Sequence, residues 1–90
     1  MLRITVKDAA DALVLKLEGY LGGAWVQALD VCWREAAAST HDKPIRVDLG
    51  EVICIDQPGR QLMARMHDAG VTFEARGCFT SELVREIANT

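Results

Sequence analysis

Hydrophobic and polar positions alternate with a period of two in four places along the chain. Leu2, Ile4 and Val6 alternate with Arg3, Thr5 and Lys7, and Leu13, Leu15 and Leu17 alternate with Val14, Lys16 and Glu18. Ile45, Val47 and Leu49 alternate with Arg46 and Asp48, and Val71, Phe73 and Ala75 with Thr72, Glu74 and Arg76. Such alternation marks half-buried strands. The first two are separated by the short stretch DAAD (8–11), which predicts a hairpin. Gly19 and then Gly22-Gly23 punctuate the end of the second strand. The third alternation is interrupted at Gly50-Glu51, resumes as the apolar run Val52–Ile55 and stops at Asp56.

Between these strands the period changes to that of a helix. From about Gly23 to Ala38, Trp25, Leu29, Cys32 or Trp33, and Ala36 form an apolar stripe, with Gln27, Asp30, Arg34 and Glu35 turned outward. From Pro58, Leu62, Met66 and Ala69 share a face, Arg60, Gln61, Arg65 and Asp68 lie opposite, and Gly70 sits at the expected C-cap. A last helix, capped by Thr80 or Ser81, carries Leu83, Val84 and Ile87. The predicted order is β-β-α-β-α-β-α, with no repeat, linker or low-complexity segment. Uninterrupted apolar strands are the mark of a sheet covered on both faces. Alternation therefore predicts a mixed α/β sheet with helices mainly on one face. The other face, with Arg3, Lys16, Arg46, Asp48 and Glu74, is solvated or covered by a partner.

Composition narrows the class. Ninety residues, 50% hydrophobic and 26% charged, make one globular domain. A net charge of −3, with no basic run, excludes an electrostatic case for nucleic acid or an anionic membrane. The N-terminal stretch is interrupted by charges and reads as no secretory signal, and no segment reaches the length of a membrane span. The chain is expected to be cytoplasmic. Cys32, Cys54 and Cys78, odd in number and set in apolar surroundings, read as reduced core thiols.

The polar turn Asp56-Gln57-Pro58-Gly59 joins the buried strand to a helix, where α/β proteins commonly place chemistry or recognition. Asp56 is placed to cap the helix N-terminus. The alternative, a metal ligand or general base with Asp48 nearby, lacks a third ligand. His41 and His67 have no activating neighbour and read as solvated. Gly19, Gly22 and Gly23 precede a helix but carry neither GxGxxG nor a following Lys-Ser/Thr, so a phosphate loop is only weakly indicated. Tyr20 and Trp25 read as core or core-edge residues, and no cofactor is called for.

The run VDLGEVICIDQPGRQLMARM (47–66) resembles the signature of STAS domains, the module of bacterial anti-sigma-factor antagonists and sulfate transporters. Its usual form is V-D-L-S-x-V-x-F-I-D-S-S-G followed by a helix. Val47-Asp48-Leu49, Val52, Ile55-Asp56 and Gly59 match in order and spacing, as do Leu15, Leu17 and Gly19 upstream. The resemblance covers nearly the whole chain and implies a STAS-like fold. In the antagonists the second serine of D-S-S-G is phosphorylated by an anti-sigma-factor kinase. Here the two serine positions are Gln57 and Pro58, and proline offers no hydroxyl.

The resemblance implies a non-catalytic protein-interaction domain whose surface is Asp56, Gln57, Pro58, Gly59, Arg60, Gln61 and His67. The implied partner is an anti-sigma-factor kinase-like regulator or, as the alternative, the ATPase of a lipid-transporting ABC transporter. A small enzyme using Asp56 or a cysteine is the reading from another class.

Overall fold

A computed structural model describes residues 1–40, 42–75 and 85–87. The elements run β1 (Leu2–Asp8), β2 (Leu13–Leu21), α1 (Ala24–Ser39), β3 (Ile45–Ile55), α2 (Gln57–Asp68) and β4 (Thr72–Glu74). Residues 85–87 are helical, and Ile87 is buried. The expected cap at Thr80 or Ser81, with Arg76, Cys78, Leu83 and Val84, falls outside the described residues, as does His41.

The strands form one sheet in the order β1-β2-β3-β4. β1 and β2 are the predicted antiparallel hairpin, with Leu2 opposite Gly19 and Asp8 opposite Leu13. β2, β3 and β4 are parallel, joined by the α1 and α2 crossovers that parallel pairing requires. The sheet is therefore mixed, as alternation predicts.

Inward residues of the three longer strands and both helices meet in one core. Leu15, Leu17, Leu21, Val47 and Leu49 from the strands, and Leu29, Leu62, Met63 and Met66 from the helices, are each at most 1% exposed. Both helices thus lie on the face those strand residues share. The opposite face is polar. Arg46 reaches Glu74 at 3.4 Å and Asp11, in the β1–β2 turn, at 3.7 Å.

One detail of the expected pattern is corrected and one is explained. β2 does not stop at Gly19 but continues to Leu21, with Gly19 at φ 106°. A side chain there would strike the Met1 carbonyl oxygen, 2.3 Å from an ideal Cβ. β3 is a single strand of 11 residues, and its broken alternation reflects two irregularities against β2. Lys16 pairs with Asp48 but Glu18 with Glu51, so Leu17 faces two residues. Gly19 pairs with Val52 but Tyr20 with Cys54, which leaves Ile53 unmatched. Each extra residue resets the phase, so the buried positions run 45, 47, 49, 52, 55. The second bulge also turns Cys54 outward, contrary to the expected core thiol. Cys32 is half-buried, and desolvation, with Glu35 second, pushes its thiol up.

The helix stripes shift by one residue in places. In α1, Leu29 and Ala36 are buried, Val26, Cys32, Trp33 and Ala37 are partly buried against the core, and Trp25 is 40% exposed. Trp25 stands about 100° around the helix from Val26, which takes the inward place. In α2, Met63 joins Leu62 and Met66 in the core, and Ala69 is exposed. Ala69 has already left the helix. Gly70, at φ 98°, closes α2 as expected: its N–H donates to the His67 carbonyl at 3.0 Å, and that of Val71 to the Met66 carbonyl at 3.0 Å.

Candidate functional site

The C-terminal ends of β2 and β3 lie side by side, with Leu21 opposite Ile55. The Asp56 N–H donates to the Leu21 carbonyl at 3.1 Å, so the ladder extends one residue beyond β3. At that point both chains turn into helices. β2 leads through Gly22-Gly23 into α1, and β3 leads through Asp56 into α2.

Asp56 holds the two starts together. Its Oδ1 accepts from the Gly59 N–H at 2.8 Å, the N-cap bond of α2, and its Oδ2 accepts from the Gly23 N–H at 3.0 Å. Gly23 is the N-cap residue of α1, at φ 58°, and has no side chain with which to cap it. One carboxylate therefore serves the free N–H groups at two helix N-termini, each carrying about half a positive charge. The predicted cap is thus present, and the bond to Gly23, 33 residues earlier, is the part that sequence reasoning missed. The available signal was Gly22-Gly23 ahead of a helix without a Ser, Thr, Asp or Asn cap.

Gly59 has a packing reason. An ideal Cβ would lie 2.9 Å from both Ile55 Cγ2 and the Leu21 carbonyl oxygen, and 3.2 Å from Asp56 Oδ1. It is buried, so it shapes the turn from below and contributes nothing to an outer surface. Pro58 lies in the first turn of α2, where its missing N–H costs no helical bond. Gln57, Pro58, Arg60 and Gln61 are exposed, and Asp56 is half-buried. His67 is half-buried in the last turn of α2, roughly 15 Å along the axis from Gln57 at 1.5 Å per residue. The structure brings Asp56, Gln57, Pro58, Arg60 and Gln61 together and leaves His67 apart.

The remaining candidates lie elsewhere. Asp48 is well back along β3, and its Oδ1 accepts from the Gly50 N–H at 2.8 Å, so it does not join Asp56. Among the described residues no group of three or more His, Cys, Asp or Glu is placed to hold a metal ion. Tyr20 lies over the β2–α1 connection: a Cβ on Gly22 would meet its ring at 2.3 Å. No helix among the described residues is long and apolar enough to cross a membrane.

A polar turn capped by aspartate thus opens a helix at the end of a central parallel strand in a mixed four-stranded α/β sheet. Solved structures share this arrangement. An uncharacterised DUF3478-family protein from Shewanella loihica PV-4 with a SpoIIAA-like fold matches 98% of this chain and 77% of its own, at TM-score 0.63 and 16% identity. Mglu matches 83% of this chain at TM-score 0.62 and 23% identity, and this chain spans 19% of the Mglu chain. Mglu in its native form in 4.3 M NaCl matches 80% of this chain at TM-score 0.51 and 21% identity. No family model and no curated protein matches the sequence. The chain has the SpoIIAA-like, or STAS-like, fold.

Proposed function

We propose that the chain acts by binding, as a non-catalytic interaction domain related in design to the anti-sigma-factor antagonists. It docks on a kinase-like regulator through the turn Asp56–Gln61. One observation carries the reading: the Asp56 carboxylate fixes the turn to both helix N-termini, while Gln57, Pro58, Arg60 and Gln61 face outward. A turn held on both sides presents its outer groups at little entropic cost on docking. Where the resemblance places a phosphorylated hydroxyl, the chain has Pro58. Docking is consequently constitutive, and the usual charge switch is absent.

Parallel affinity capture from the native host with wild-type and Pro58→Glu baits tests the proposal. Expected is a kinase-like regulator on the wild-type bait and its loss from the variant, whose unfolding midpoint should match the parent's. Capture of a transporter ATPase, also lost from Pro58→Glu, would keep the docking surface and replace the partner. Partners that stay on both baits would contradict the surface.

A further inference from the structure

Resting on that docking surface, we infer that its partner is a protein segment joining an acidic side chain to an apolar one, and that Trp25 is the anchor for the apolar part. Trp25 follows Gly23 by two residues and Pro58 follows Asp56 by two. The Gly23–Asp56 bond thus places both within two residues of the same junction. Trp25 is 40% exposed although tryptophan is ordinarily among the more buried residues, and the inward place on α1 belongs to its neighbour Val26. Tyr20 packs on Gly22 in the same connection. Exposed tryptophan beside a rigid polar turn is the composition of an interface anchor rather than of a solvated surface.

Charge sets the rest of the partner's chemistry. Neither α1 nor α2 has an acidic residue in its first turn. Two helix N-termini, each worth about half a positive charge, are matched by the one Asp56 carboxylate. Arg60 is exposed and makes no ion pair among the described residues, so the junction is left with an uncompensated positive charge. A carboxylate beside a leucine or aromatic side chain complements both features; a basic segment does not.

The test is selection of a random 12-residue phage-displayed peptide library on the immobilised full chain. Recovered peptides are then made synthetically and titrated against Trp25→Ala, Trp25→Gln, Arg60→Glu and Pro58→Glu. Expected are sequences joining Asp or Glu to Leu, Phe or Trp. Their binding should weaken tenfold or more in both Trp25 variants and in Arg60→Glu, and should fall with added salt. Trp25 is only 40% exposed, so its variants should lower the unfolding midpoint while leaving the chain folded, and the titrations are run well below the variants' own midpoints. Failure to enrich, enrichment of basic peptides, or unchanged binding in the Trp25 variants would overturn the inference. Loss in Pro58→Glu with retention in the Trp25 variants would overturn it while leaving the docking surface standing. Retention in all four would remove both. Self-association abolished by Trp25→Ala would assign the anchor to a second copy of this chain instead.

Discussion

Replacing Asp56 by alanine removes two hydrogen bonds from one site, and the structure allows its cost to be divided. The bond to Gly59, an ordinary N-cap interaction at 2.8 Å, is worth about 1 kcal/mol. The bond to Gly23 at 3.0 Å is also accepted by a carboxylate, but it is solvent-exposed, so it contributes less than the usual range for charged acceptors, about 1 kcal/mol. Asp56→Ala should therefore destabilise the fold by about 2 kcal/mol. Asp56→Asn keeps one acceptor oxygen and should lose about half of that. For a small domain unfolding with a urea slope of about 1 kcal/mol per M, the alanine variant's midpoint should fall by about 2 M. Amide exchange provides the residue-level assay: the Gly23 and Gly59 N–H groups should both lose protection in Asp56→Ala. A loss of only 1 kcal/mol in alanine with none in asparagine, and Gly23 exchange unchanged, would refute the double-anchor reasoning and leave Asp56 as a cap of α2 alone.

Other outcomes follow from neighbouring geometry. Gly59→Ala places a methyl group 2.9 Å from Ile55 Cγ2 and the Leu21 carbonyl, and should cost about 1–3 kcal/mol in urea unfolding. Incubation with an anti-sigma-factor kinase and ATP should add no phosphate between Asp56 and Gln61, as read by intact mass and peptide mapping, since that segment contains no hydroxyl side chain. Asp30 accepts from Arg34 Nε at 2.8 Å, and that bond holds its carboxyl below the usual value of 3.8. The stability it contributes is complete above that value and is lost as pH falls through the lower folded one. Asp30→Asn should therefore flatten the acid limb of the urea midpoint below about pH 4.

The sequence pattern reveals strands by local alternation, so β1, β2, β4 and the first half of β3 were legible, as were the hairpin and the one-sided helix layer. What it missed depends on partners distant in sequence. The bulges in β3 exist only against β2, and they decide that Ile53 and Cys54 point outward. Trp25 and Val26 are equally apolar, and only packing against the sheet selects Val26 as the inward one. The Asp56 cap was legible because it is a contact three residues long. Its second bond, to Gly23, spans 33 residues and has no local signature. Gly59 matched a motif position yet proved buried, because the turn needs backbone contact beneath it.

The central claim, that the Asp56–Gln61 turn is the docking surface, is tested most directly by titration calorimetry of Pro58→Glu against the captured partner. The glutamate enters the first turn of α2, where negative charge is tolerated, so the unfolding midpoint should hold. At the interface the new charge must be desolvated or left facing an acidic partner, which costs several kcal/mol, or roughly a hundredfold or more in Kd. An affinity equal to the parent's in a fully folded Pro58→Glu protein would contradict the account and move the partner to another surface, such as the charged face of the sheet around Arg46.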